Sequence, residues 1–331
     1  MKLHRFLDHL DLGKRLTHRN LTIIPLHGNG GRGLDYMLGA DAICAGLLEV
    51  TEVSEGGSVP EVHVRSTCQK PVLLLEGEQL IGAKQNRIVN ITILLPAKST
   101  TRIPVSCVEA GRWHYASEEF EPGPLSHPKL RARTSHDVTH CLRASGTPHA
   151  DQGAVWEEVD EALSVAGAVS HTAALADAIE HRKASLDDYL ARARYPKGAR
   201  GILAAIDGQF VALDLFDKPQ TCERVWDRLV RSYAFDALPT ATAKRRKVFR
   251  TAVARRLLEE IAAATPWRAN AIGEGEHWRF ETEGLVGSAL VARRTCVHLA
   301  AFPRPGNGGT EGGPISPPSA RRRWSDDTVV Y

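Results

Sequence analysis

The apolar positions of this chain change rhythm along its length. Between Leu21 and Val108 they come in short β-branched runs, LTIIPLH, EVHVRST, PVLLLE, IVNITILL and TRIPVSCV, separated by glycine, proline or polar turns. Such runs are the mark of strands, whose side chains alternate between two faces. From Gln152 to Arg194 the spacing lengthens. Val155, Val159 and Leu163 fall on one helical face, and TAALADAIEHR and SLDDYLARA continue the pattern, so two or three helices are predicted. ILAAIDGQFVALDLF then sets two apolar strands about Asp207-Gly208, a dipeptide suited to the positive φ of a tight hairpin turn. Asp217 next stands as a helix cap with Gln220 at the reciprocal position, and Cys222, Val225, Trp226 and Leu229 form an apolar stripe predicted to end near Ser232.

A further helix is expected over residues 243–264, and HWRFETE, LVGSALVA and CVHLAAF read as closing antiparallel strands. The fold class that emerges is α+β: a β-rich N-terminal half with antiparallel hairpins, central helices, then another antiparallel β/helix section in one composite domain. That domain is expected over residues 1–303, β-rich over 20–115, helical over 151–195 and α+β over 198–302. Residues 116–150, with EPGPLSHP and RASGTPHADQG, show no sustained period and are expected to cross the molecule irregularly. Residues 304–331 are dominated by glycine, proline, serine and charge, a composition expected to give a disordered tail.

Composition narrows the function classes. Of 331 residues, 43% are hydrophobic, ample for a substantial core. The 42 basic and 39 acidic residues nearly cancel, so no whole-molecule field would draw the chain to nucleic acid or an anionic membrane, and neither is an expected partner. The basic stretch KRRKVFRTAVARR reads as a solvated helix face. Six scattered cysteines without a CxxC pair fit reduced thiols. MKLHRFLDHLDLGKRL lacks the apolar core of a signal peptide, and a cytoplasmic location is expected.

The densest chemistry lies in EGEQLIGAKQNR, residues 76–87, directly before a β-branched run. Matching the more apolar faces of RIVNITILL and TRIPVSCVE places Ile93 opposite Ile103, Ile91 opposite Val105 and Val89 opposite Cys107. Arg87 then falls opposite Glu109, where the pair serves equally as a structural ion pair or as part of a site. Glu76 and Glu78 flank Gly77, and carboxylates held close can have their proton affinities driven apart, as acid/base work requires. Lys84, Arg87 and Arg112 could hold a phosphate or carboxylate, with Gln85 and Asn86 adding directional hydrogen bonds. Cys107 shares a face with Ile103 and Val105 and reads as a buried core thiol more readily than as a nucleophile. His136, His140 and Cys141 have ligand-like spacing, but on a segment read as a loop and without a further ligand, so no metal site is expected.

The stretch LLLEGEQLIGAKQNRIVNITILLPAKSTTRIPVSCVEAGRW resembles a bacterial family, the ARG and Rhodanese-Phosphatase-superfamily-associated protein domain, in which ARG denotes ADP-ribosylglycohydrolase. The likeness extends to EVTEVSEGGSVPEV, DQGAVW, IDGQFVALDLFDKP and LVRSYAFDAL. The family motif corresponds to Glu76, Gly77, Glu78, Gly82, Ala83, Lys84, Gln85, Asn86 and Arg87, and a second block to Cys107, Glu109, Gly111, Arg112 and Trp113. Gln79 stands where the family carries an acid, and is given no catalytic role. The genomic neighbours for which the family is named imply metabolism of NAD-derived or ADP-ribose-containing molecules. On this reading the chain binds a nucleotide-like or phosphorylated small molecule, as a hydrolase or transferase, with Glu78 or Glu109 as acid/base ahead of Glu76. Lys84, Gln85, Asn86, Arg87 and Arg112 would hold the ligand and Trp113 would stack on a ring. The alternative is a noncatalytic interaction protein regulating pathway partners. No cofactor is specified by either.

Overall fold

The computed structural model describes residues 2–28, 33–242 and 247–306. Its frame is an antiparallel sheet ordered Asp11–Leu12, Leu21–His27, Gly201–Ile206, Gln209–Phe216, Thr295–Pro303, Leu285–Ala292, Glu276–Glu281 and Trp267–Asn270, with Leu16–His18 also pairing to Leu21–His27. Distant segments meet within it: Leu203 lies opposite Ile24, and Leu215 opposite Leu299. Both faces are covered. Ile23, Ile202 and Ala204 enter one core with Val155, Trp226 and Tyr233. Ile24, Leu203 and Leu213 enter another with Ile261, Trp278 and Phe280. A strand buried on both sides takes apolar residues at consecutive positions, which is why LTIIPLH is a continuous run.

A six-stranded sheet is ordered Phe120–Leu125, Glu78–Gly82, Arg87–Val89, Thr100–Cys107, Glu61–Ser66 and Leu48–Glu52. Its inward residues Val50, Val62, Val64, Leu80, Val89, Ile103 and Phe120 form a third core. A smaller sheet joins Ile93–Leu95, Val72–Leu74 and Met37–Leu38. The architecture is α+β. The Asp207-Gly208 turn has φ of 49° and 77°, and the strands on either side pair antiparallel as their turn chemistry dictates. The closing strands Glu276–Glu281, Leu285–Ala292 and Thr295–Pro303 are antiparallel neighbours. Among the described residues no helix is long and apolar enough to cross a membrane.

Four expectations are corrected. Val89 lies opposite Val105 and Arg87 opposite Cys107, so the register is displaced from the one placing Arg87 opposite Glu109. Ile93–Leu95 leaves this pairing altogether and lies against Val72–Leu74. The run from Ile88 to Leu95 is buried on both faces, so its alternation holds no preference between registers. Second, within the expected irregular segment 116–150, Pro128–Ser145 is a helix, opened by proline in its first turn and closed by Gly146 at φ 75°. Its hydrophobic period is masked because Arg131, Thr134, Ser135 and Thr139 are buried on it. Third, Lys218 occupies the cap position of the Pro219–Ala237 helix without a side-chain capping bond, its ammonium donating to Leu34 O. Asp217 instead accepts from Leu34 N at 2.7 Å and Tyr36 OH at 2.6 Å. Fourth, the helix expected over 243–264 is Thr251–Ala263, with residues 243–246 outside the described residues. Most of the expected disordered tail, from residue 307 on, also lies outside them.

Candidate functional site

The residues singled out between Glu76 and Trp113 separate into three places. The first is a closed knot at the turn joining Glu78–Gly82 to Arg87–Val89. This turn has positive φ at Gly82 and Ala83, which bends the chain enough for its carbonyls to converge. The Arg112 guanidinium fills the convergence. It donates to Glu109 Oε1 at 2.9 Å and Oε2 at 2.6 Å, to Ala83 O at 2.5 Å, and to Gly82 O and Asn86 Oδ1 at 3.2 Å each. Glu109 also accepts from Asn86 N at 2.9 Å, and Gln85 Nε2 donates to the Glu109 carbonyl at 2.9 Å. Burial alone would raise the Glu109 pKa, but the bonds from Arg112 and from backbone outweigh it and hold the carboxyl below its ordinary range.

Arg87 is fully buried, donates to Gln85 Oε1 at 2.7 Å and lies 3.7 Å from Glu52 Oε1. Cys107 is equally buried, and burial pushes its thiol pKa up, which disfavours a thiolate nucleophile. Lys84, Trp113 and Tyr115 lie together on the solvent side of this knot. The Lys84 ammonium lies 5.5 Å from the Trp113 ring and 5.1 Å from the Tyr115 ring, while Arg87 lies 5.5 Å from the Trp113 ring. Trp113 and Tyr115 are 45% and 48% exposed.

The second place is Glu76, which faces the interior. Its Oε2 accepts from Ser288 Oγ at 2.9 Å and its amide donates to Thr92 Oγ1 at 3.2 Å. Beyond lies a buried hub. Asp214 accepts two bonds from Arg131 at 2.6 and 3.0 Å and one from Tyr233 OH at 2.5 Å, and His298 Nε2 lies 3.0 Å away. Burial would raise the Asp214 pKa, but Arg131 and His298 hold it well below the usual carboxylate range. Glu76 Oε1 and Arg131 Nε have no partner, and both residues line a void of about 10 Å³, room for about one water.

The third place is Glu78, whose carboxylate turns toward the Pro219–Ala237 helix. Its Oε2 accepts from Leu75 N at 3.0 Å and its Oε1 from Arg228 Nη1 at 2.5 Å. Glu76 and Glu78 therefore serve separate partners. Arg228 also donates to Gly123 O at 3.0 Å and lines a pocket of about 360 Å³. Pro122, Pro124, Leu125, Ile179 and Phe235 make its walls apolar, and Arg231 stands beside Arg228. Arg231 is held by Asp187 at 2.7 Å, and its Nε is buried without a partner.

A wider groove of about 750 Å³ runs past His127, Lys129, Glu158, Phe210 and Asp236. Asp236 accepts from Lys129 N at 2.9 Å, so it caps the helix that starts there, and burial pushes its pKa up to about 7. Lys129 is claimed by Glu158 and Glu161, and Arg133 and Arg304 also line this groove.

A family model for the ARG and Rhodanese-Phosphatase-superfamily-associated Protein domain, ARPP-1, matches residues 9–302. The chain belongs to this family. A search of curated proteins and one of solved structures each gave no match. The ARPP-1 match spans both large sheets, the knot, the Asp214 hub and the two-arginine pocket.

Sequence reasoning missed Arg228 and Arg231 in this ARPP-1 chain because charges on an amphipathic helix read as a solvated face. Their spacing of three, one helical turn beside the apolar stripe of Val225, Trp226 and Leu229, was the available signal. Arg131, Tyr233 and His298 gave none, since nothing local marks a partner for Asp214.

Proposed function

We propose that this ARPP-1 chain binds a phosphorylated, nucleotide-like ligand in the pocket of about 360 Å³ beside Arg228 and Arg231. The observation that carries the reading is the pair of guanidiniums one helical turn apart on an otherwise apolar concave wall. A volume in this range suits a small nucleotide, with apolar walls for a ring and few polar groups for its anion. Guanidiniums present planar forks that match phosphate oxygens. Glu78, buried behind Arg228, fixes its orientation and so reduces what binding must order. The family's association with ADP-ribosylglycohydrolases makes ADP-ribose-type molecules the first ligands to try, and hydrolase or transferase chemistry on them the extended reading. In that extension Glu78 is the carboxylate next to the pocket, while Glu109 remains engaged by Arg112.

The test is thermal-shift titration of the full chain with ADP-ribose, NAD and inorganic phosphate. A ligand at a hundred times its Kd adds about 2.7 kcal/mol of stability. ADP-ribose should raise the melting temperature of the wild type and of W113A, and fail to do so in R228A/R231A. A shift that survives R228A/R231A but disappears in K84A/W113A would move the ligand to the outer surface of the knot and defeat this assignment.

The exposed pair Trp113 and Tyr115 favours a second reading, a noncatalytic interaction surface, since solvent-facing aromatics around a cation are the composition of protein-binding patches. It predicts partner loss in W113A with ligand response intact.

A further inference from the structure

Where the Pro128–Ser145 helix crosses the end of strand Glu276–Glu281, His136, His140 and Glu281 bring two ring nitrogens and one carboxylate oxygen within 4.8 Å of one another. The histidines are four apart, so a helix stacks them on one face, the spacing used by the two histidines of H-E-x-x-H metal-binding helices. Cys141, adjacent in sequence, is turned about 100° away around the helix, and its thiol lies near Ser145 and Thr147. Glu281, remote in the chain, takes the third position.

Three features make this more than a chance meeting of surface side chains. Arg279, two residues before Glu281, donates to Thr139 Oγ1 at 3.0 Å, Ser135 O at 2.6 Å and Ser135 Oγ at 3.0 Å. These bonds pin the strand to the helix at the positions just before His140 and His136, which fixes Glu281 against the two rings. Glu281 Oε1 is buried and accepts no hydrogen bond, yet lies 3.3 Å from His140 Nε2. Its Oε2 is held by Arg143 Nη1 at 2.7 Å, so the carboxylate is oriented by one oxygen and free at the other, as carboxylate ligands commonly are. Finally, the His140 side chain is 50% exposed, which leaves a path for an ion and room for water as a further ligand.

We propose that His136, His140 and Glu281 form a binding site for a divalent transition-metal ion, with Zn²⁺ the first candidate. Two imidazoles and one carboxylate suit Zn²⁺, Co²⁺ and Ni²⁺, whereas Mg²⁺ and Ca²⁺ demand oxygen-rich shells. Three protein ligands leave a coordination position for water.

The experiment is isothermal titration of chelator-treated full chain with Zn²⁺, together with the visible absorption of added Co²⁺, which reports tetrahedral nitrogen and oxygen ligation. Wild type should bind one ion more than H136A/H140A. E281Q should weaken that site at least tenfold, and C141S should leave it unchanged. The histidine side chains are partly exposed, so the variants should keep the metal-free melting temperature of the wild type. Equal Zn²⁺ stoichiometry and affinity in wild type and H136A/H140A would overturn the proposal, as would loss of the Co²⁺ spectrum in C141S with its retention in H140A.

Discussion

Two arginine–glutamate pairs in this molecule use the same chemistry to opposite ends. At the knot, Arg112 meets Glu109 and spends its remaining donors on Gly82, Ala83, Asn86 and His114. At the pocket, Arg228 meets Glu78 and Gly123, but its helix neighbour Arg231 and an apolar hollow lie alongside. The first pair is scaffolding, because a guanidinium with all its edges answered has nothing to offer a ligand. On the proposed reading the second is receptive, because Arg228 and Arg231 both line the apolar hollow. Charge density in a sequence therefore marks where the chain needs internal wiring at least as often as where it meets a ligand. What decides between the two is how many donors remain unspent beside a cavity.

The enclosed kind reaches its extreme at Asp214, and the largest expected effect lies there. In Arg131→Met the aliphatic stem is replaced, but Asp214 stays buried with only Tyr233 and His298 for partners. Removing one member of a buried pair costs about 3–5 kcal/mol. Urea unfolding should show that loss with an unchanged m-value, and a loss below about 1 kcal/mol would mean that water reaches Asp214 and the interior is less closed than described.

Glu109→Gln sharpens the comparison at the knot itself. It keeps the shape but removes the charge facing Arg112, and hydrogen bonds to charged groups contribute about 1.5–3 kcal/mol. The pH dependence has a definite sign. Because the folded pKa lies below the ordinary 4.5, the stabilising contribution is present in full above that value and is lost as pH falls through the folded pKa. The stability gap between wild type and Glu109→Gln should thus be constant near neutrality and close below about pH 4.5. A gap that stays constant on acidification would show that Glu109 does not depend on its charge.

How much of this was legible follows from where each signal's partners lie. The Asp207-Gly208 hairpin could be read because a tight turn is specified by the two residues that form it. The α+β class and the closing strands could be read because their periodicity is local. The Pro128–Ser145 helix was hidden because it buries Arg131, Ser135 and Thr139 where the pattern expects apolar residues, and these answer Asp214 and Arg279 far along the chain. The register of Arg87–Val89 was hidden because the strand is buried on both sides. At the site, EGEQLIGAKQNR was visible as unusual chemistry, but its division into knot, hub and pocket wall depends on Arg228, Ser288 and Arg112, none of which the motif names.

The smallest expected effect tests the boundary between the two kinds of region. Trp113 is 45% exposed, yet its ring lies over both the buried Arg87 and the solvent-facing Lys84. If it belongs to the outer surface, Trp113→Ala removes little more than a cation–π contact of about 0.5–1 kcal/mol at an exposed site. Arg87 would keep its bond to Gln85 and its proximity to Glu52, so the core beneath would hold. If the ring is instead the lid that keeps water from Arg87, the loss should approach that of Glu109→Gln, and hydrogen exchange at the Asn86 amide, which is bonded to Glu109, should accelerate with it. A small loss with unchanged exchange leaves Trp113 and Tyr115 free for a partner and keeps the knot closed beneath them, as the division between scaffold and receptive surface requires.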